Sequence, residues 1–237
     1  MSPGRGEGGS KRPNIIFIMS DDHAAHALSC YGSRINKTPH LDRLAREGMR
    51  FDHCYATNSL CAPSRATILT GKYNHINGLL DNRVIFDGRQ ETFPKILRRH
   101  GYQTAMIGKW HLKSTPTGFD YWNVLPGQGR YHDPVLIEMG ERKVVKGYVT
   151  DLLTDFAIDF LDKKRDPDKP FLMMLHHKAP HRNWQPDKKH AHLYDNVEIP
   201  TPPTFDDDHS HRASPARTCD MSILHTLTVN DVKAPFP

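Results

Sequence analysis

Asn14-Ile15-Ile16-Phe17-Ile18-Met19, followed at once by Ser20-Asp21-Asp22-His23, is the stretch from which the fold is read. Its apolar residues run on without the alternation of a half-exposed strand, so the segment is expected to be a strand buried on both faces of a parallel sheet. Two adjacent carboxylates at its C-terminal end are costly unless solvated or neutralised, and that end is where open α/β sheets place ligands. A pair of solvated loop aspartates, or a helix cap, is the plainer alternative for Asp21 and Asp22.

Two further segments repeat the design. Residues 103–107 form a strand that breaks at Gly108-Lys109-Trp110-His111, and Phe171-Leu172-Met173-Met174-Leu175 breaks at His176-His177-Lys178-Ala179-Pro180-His181. A lysine and a histidine two residues apart at a strand end can face one cleft. Helices fall between the strands. One has Thr38 as cap, Pro39 at its first position, Leu41, Leu44 and Ala45 as its buried stripe and Gly48 as its stop. Others are expected at 92–100, ending at Gly101, and at 150–164, closed by Asp166-Pro167. A strand is expected at about 49–56 and a hairpin at 135–145, with Gly140-Glu141 between its arms. Residues 114–134, rich in Gly, Pro and aromatics, are expected to be a long loop that shapes a site. Beyond Pro186 the chain turns Pro- and Asp-rich and is expected to run over the surface before a helix at about 211–227. Strands alternating with helices define an α/β class.

The stretch Ser59-Leu60-Cys61-Ala62-Pro63-Ser64-Arg65-Ala66-Thr67-Ile68-Leu69-Thr70-Gly71 carries its own punctuation. Pro63 suits a first helical turn and Gly71 ends the helix. Cys61 is thus placed at the positive end of a short helix beside an arginine, where the thiolate is favoured. It is either reactive or modified, or else a small buried cysteine or half of a disulfide with Cys54. The histidines His176 and His177 could be ligands, although with 16 histidines in the chain any single one is more often packed or solvent-facing.

Cys61-Ala62-Pro63-Ser64-Arg65, with its extension from Ala66 to Tyr73, resembles the signature of the sulfatases, in which that cysteine is oxidised after synthesis to formylglycine. Three more matches occur in the family's order: the first strand with Asp21-Asp22, Gly108-Lys109-Trp110-His111, and Pro180-His181. The resemblance implies an α/β/α sandwich with a mixed, mainly parallel central sheet, alkaline-phosphatase-like. In that reading residues 1–12 are a disordered tail and 13–237 the N-terminal part of a sulfatase catalytic domain, incomplete at its C-terminus.

The same resemblance implies a sulfuric ester hydrolase. Asp21, Asp22 and the modified Cys61 would hold Ca²⁺, or Mg²⁺. The hydrate of the formylglycine would attack sulfur, with Arg65 holding it, His111 acting as its base, Lys109 contacting sulfate and His181 contacting or protonating the leaving oxygen. A formylglycine-generating maturation enzyme is the implied partner. The family's second metal pair, an Asp-Asn after a later strand, and a later lysine have no match; Asp81-Asn82 and Asp195-Asn196 do not follow a buried apolar strand and are not assigned. The segment from His176 to Pro186 is similar to bacterial enzymes acting on sulfated amino sugars of glycosaminoglycans, N-acetylglucosamine 6-sulfate in particular. The alternatives are a phosphodiesterase or phosphonate hydrolase of the same superfamily, or an inactive truncated fragment.

Composition narrows the field further. A net charge of +5 over 237 residues, with no basic stripe interleaved with aromatics, argues against nucleic-acid binding. Four cysteines, at 30, 54, 61 and 219, make no disulfide framework and no zinc ribbon. No apolar run reaches the roughly 18 residues of a membrane span. The first residues lack the apolar core of a signal peptide, so the chain as written is expected to be soluble and cytoplasmic, although members of the family are often exported to periplasmic, extracellular or lysosomal sites.

Overall fold

Six strands pair into one sheet in the computed structural model, which describes residues 12–219, 226–228 and 231. They are β1 (Ile15–Met19), β2 (Gln103–Lys109), β3 (Tyr121–Leu125), β4 (Val135–Glu138), β5 (Glu141–Val144) and β6 (Phe171–His176). The spatial order is β1-β6-β2-β3-β4-β5. β1, β6, β2 and β3 are parallel, and β4 and β5 add an antiparallel hairpin at the far side. The sheet is therefore mixed and mainly parallel, as expected.

Helices cover both faces. α1 is Pro39–Glu47, α2 Cys61–Thr70, α3 Asn74–Asn77, α4 Phe93–Arg99, α5 Val149–Asp159 and α6 Ser214–Arg217. On one face Ala62, Ala66 and Leu69 of α2 pack with Met106, Trp122, Val124, Leu172 and Met174, and Phe93 and Leu97 of α4 join them. On the other, α5 lies along β2 and β6, and Phe160, just beyond it, stacks on Tyr121 and meets Phe171 edge-on. Gly108 is needed where β2 pairs with His176 of β6: at φ 104° a Cβ there would meet the His176 carbonyl oxygen at 2.0 Å.

The chain divides into two compact units, Met1–Asp21 with Cys54–Lys178, and Asp22–His53 with Ala179–Pro237. The first holds the sheet and α2 to α5. In the second, α1 is tied down by polar bonds: Ser29 Oγ donates to both Asp42 carboxylate oxygens at 2.9 and 2.8 Å, and Thr38 N–H donates to Ser29 Oγ at 2.7 Å.

Several expectations are corrected. β1 is an edge strand half-buried on one face and exposed on the other; Ile16 is 49 % and Ile18 62 % exposed, α5 packing against β6 and β2 instead. Residues 49–56 form no strand, and Met49, Phe51 and Tyr55 are exposed. The stripe of α1 is not buried either; Leu41 and Leu44 face solvent. Inside the expected loop 114–134 lies β3. The described part of 211–227 contains the four-residue α6, and residues 220–225 of that expected helix lie outside the described residues, as do residues 1–11 of the expected tail. No disulfide joins Cys61 to Cys54.

Candidate active site

Parallel strands put their C-terminal ends on one rim, so Asp21 after β1, His176 at the end of β6 and Lys109 at the end of β2 come together there. Helix α2 enters the same rim with Cys61 as its first residue. Its cap comes from a distance: the Leu60 side chain has no acceptor, and the Ala62 N–H instead donates to Asn82 Oδ1 at 3.0 Å. Asn82, left unassigned by sequence, thus closes the N-terminus of the cysteine helix. Asn82→Ala is expected to cost about 1 kcal/mol of stability, read from urea unfolding, because one of the helix's first N–H groups loses its acceptor.

Lys109 is wholly buried and gathers the site. Its ammonium donates to Asp21 Oδ2, to Gln128 Oε1 at 2.5 Å and to Cys61 Sγ at 3.8 Å. The other carboxylate oxygen of Asp21 lies 3.9 Å from Cys61 Sγ. Arg65, one helical turn beyond Cys61, donates through Nη1 to the Lys109 carbonyl at 2.5 Å and through Nη2 to Asp21 Oδ2 at 3.5 Å. One buried carboxylate therefore faces two buried cations, the pairing that a charge removed from water requires.

The same Arg65 Nη1 lies 3.1 Å from His176 Nδ1. A guanidinium only donates, so Nδ1 is the unprotonated, accepting nitrogen of a neutral imidazole. Burial, then the charge of Arg65, pushes the His176 pKa well below the usual range, and burial also lowers that of His177. His176 is a structural acceptor in this site. Because the folded protein resists protonating these rings while the unfolded chain takes up protons below about pH 6.5, stability is expected to fall as pH drops through that value, by up to about 1.4 kcal/mol per pH unit for each ring. Denaturant midpoints from pH 7 to 5 read this, and His176→Phe should flatten the slope.

His111 follows at φ 55° and lines a cavity of about 340 Å³ with Trp110, Trp122, Leu125 and Pro126. Its Nδ1 is buried. In the second unit, His181 Nε2 lies 3.7 Å from Asp22 Oδ2, and Asp22 is exposed at φ 60°. The chain just after His181 is anchored: Arg182 grips buried Asp231 with Nε at 2.8 Å and Nη2 at 2.6 Å, and Asn183 Nδ2 donates to it at 2.9 Å. Arg182 holds the Asp231 carboxyl well below the usual range. The first unit thus assembles Asp21, Cys61, Arg65 and Lys109, and the second pairs Asp22 with His181. Sequence reading missed Gln128, Asn82 and Asp231. Only Gln128 had a local signal, in the glycines on either side of it.

The surroundings of Cys61 suit an oxygen-bearing side chain. A carboxylate and an ammonium flank the sulfur, the polar setting that the hydrated aldehyde of formylglycine would use and an inert thiol would not. Asp21 also fits a hard divalent cation in kind, since its Oδ1 is turned to Cys61 while Oδ2 takes the two cationic side chains.

At the C-terminal rim of the mainly parallel sheet, a carboxylate, a lysine and an arginine thus gather around a cysteine that starts a helix. The Sulfatase family model matches residues 13–217. The chain is 56 % identical over 222 residues to an N-acetylglucosamine-6-O-sulfatase of Bacteroides thetaiotaomicron, covering 92 % of this chain and 40 % of the relative. It is 32 % identical to the human N-acetylglucosamine-6-sulfatase, covering 83 % of this chain and 39 % of that protein. A structure of a protein in complex with its substrate, D-glucosamine-2-N,6-O-disulfate, superposes with a TM-score of 0.89 at 56 % identity, over 92 % of this chain and 44 % of the other. The chain belongs to the sulfatase family. It spans about two fifths of the length of these curated relatives. The family is generally dependent on formylglycine and a divalent metal. Among the described residues no helix is long and apolar enough to cross a membrane.

Proposed function

We propose that this chain supplies the nucleophile side of a sulfatase active site acting on sulfate esters of amino sugars, with 6-O-sulfated glucosamine derivatives as the substrate class. The observation that carries the reading is the position of Cys61 Sγ, at the start of α2 and between the Asp21 carboxylate and the Lys109 ammonium. The substrate class is supported by the 56 % identity to a relative named for N-acetylglucosamine 6-O-sulfate and by the glucosamine disulfate bound in the similar structure.

Formylglycine made from Cys61 supplies the nucleophilic oxygen, and a divalent cation, Ca²⁺ or Mg²⁺, supplies a Lewis acid for the sulfate. Asp21 and the next residue, Asp22, are the carboxylates that would hold that cation. Lys109, 3.8 Å from Cys61 Sγ, would set a fixed positive charge beside the reacting sulfate group, and Arg65 keeps the Asp21 carboxylate and the end of β2 in register with α2. His111 is the base at the nucleophile. His181, paired with Asp22, is the acid at the leaving oxygen. The maturation enzyme that oxidises Cys61 is the implied protein partner, and residues 13–237 act as part of one catalytic domain.

The test has two arms. Mass spectrometry of the Cys61 peptide from protein expressed with a maturation enzyme should show the aldehyde, and the protein should release sulfate from N-acetylglucosamine 6-sulfate. Faster turnover of an aryl phosphate than of the sulfate ester would overturn the reading.

A further inference from the structure

The two residues after His181 converge on one carboxylate, that of Asp231, 49 positions beyond Arg182 and 48 beyond Asn183. Arg182 donates to it through Nε at 2.8 Å and Nη2 at 2.6 Å, and Asn183 through Nδ2 at 2.9 Å. The Thr228 N–H and hydroxyl also donate to its Oδ2, at 2.9 and 3.0 Å. Asp231 is only 1 % exposed. A buried ion pair seldom stabilises a fold more than apolar side chains of the same volume would, so what this one contributes is geometry. A planar guanidinium gripped along one edge cannot turn, and the backbone that carries it is held in place.

That backbone holds the ring of His181. The Arg182 carbonyl is bonded to His181 Nδ1. A carbonyl only accepts, so Nδ1 carries the hydrogen and Nε2 is the nitrogen left for proton exchange. Nε2 faces Asp22 Oδ2 at 3.7 Å, an ion-pair distance longer than a hydrogen bond. The Asp22 side chain is 62 % exposed, so Nε2 lies beside a solvent-facing carboxylate and Nδ1 beside the peptide chain.

Resting on the reading of His181 as the acid at the leaving oxygen, we propose that Asp231 is its positioning residue: by clamping Arg182 it fixes the carbonyl that takes Nδ1–H, and so makes Nε2 the nitrogen that delivers the proton. In that step the S–O bond to the sugar breaks, its electron pair goes to the sugar oxygen, and that oxygen takes the proton from Nε2. The ring is left neutral, with its hydrogen on Nδ1 where the Arg182 carbonyl accepts it. Asp231 acts through Arg182 alone.

Asp231→Asn has the same shape, lacks the charge and puts a donor where an acceptor was. It is compared with wild type on two sulfate esters after maturation of Cys61. N-acetylglucosamine 6-sulfate must expel an alkoxide and needs the proton, whereas a nitrophenyl sulfate expels a stable phenolate and does not. On the sugar ester kcat should fall about tenfold or more with KM little changed, and on the aryl ester it should stay within about threefold. In a His181→Gln background, which already lacks the acid, Asp231→Asn should cost nothing further. Equal loss on both esters, unchanged kcat on the sugar ester, or a further loss in the His181→Gln background would each overturn the assignment. The ring is read independently of turnover from the imidazole nitrogen NMR spectrum of histidine-labelled protein at alkaline pH, with His181→Gln identifying the signal. Wild type should show Nδ1–H, and Asp231→Asn a mixture of the two tautomers. Nε2–H in wild type, or a spectrum unchanged by Asp231→Asn, would end the inference. Wild type that hydrolyses neither ester ends the sulfatase reading, and the spectrum then still decides whether Asp231 holds the ring.

Discussion

Lys109→Met is expected to lower the stability of the protein by about 3 kcal/mol and to cut sulfatase turnover by a hundredfold or more. The methionine fills much the same space, so the loss does not come from a cavity. It comes from Asp21, buried at the rim and left with Arg65 alone at 3.5 Å. A buried charge that loses its partner keeps the cost of leaving water and gives up the attraction that offset it. The control is the double variant with Asp21→Asn, in which neither charge is present; it should regain most of the stability in urea unfolding and none of the activity. If the single variant were as stable as wild type, the Lys109 ammonium would not be the group that neutralises Asp21.

The rim itself was legible in the sequence because unbroken apolar runs mark parallel strands, and parallel strands end on one side. Asp21, Lys109 and His176 each stand just after or at the close of such a run. Helix α2 was legible through Pro63 and Gly71, and Gly71 does end it in the left-handed conformation. β3 was not, because Gly, Pro and aromatic residues surround it and Asn123 interrupts its apolar sequence. Asn123 is nonetheless buried, with both side-chain polar atoms lacking a protein partner, so burial here departs from the polarity that sequence patterns rely on.

Two other misses share one cause. The 3.6-residue stripe of α1 and the continuous run of β1 report that a face is apolar, not that something lies on it. Leu41, Leu44, Ile16 and Ile18 are accordingly exposed where burial was expected. Asn82 was invisible for another reason: it caps a helix that begins about twenty positions earlier in the chain, and sequence rules for caps look only at the adjoining residue. Gln128 belongs with it, since its partner Lys109 sits on a different strand.

Cys61→Ala separates chemistry from architecture more cleanly than any other change in the site. Cys61 contributes one sulfur atom at the end of a helix that is capped through Ala62, and its contacts to Asp21 and Lys109, at 3.9 and 3.8 Å, are long and weak. Asp21, Lys109 and Arg65 hold one another without it. Stability in urea is therefore expected to change by less than about 1 kcal/mol. Turnover is expected to fall by at least a thousandfold, because the oxidised side chain at this position is the only proposed source of the attacking oxygen and nothing at the rim replaces it. Wild-type stability with abolished sulfate release would place the nucleophile at the start of α2. Retained activity in a variant that mass spectrometry shows to carry alanine would remove Cys61 from the reaction, and with it the assignment of this rim as the catalytic one.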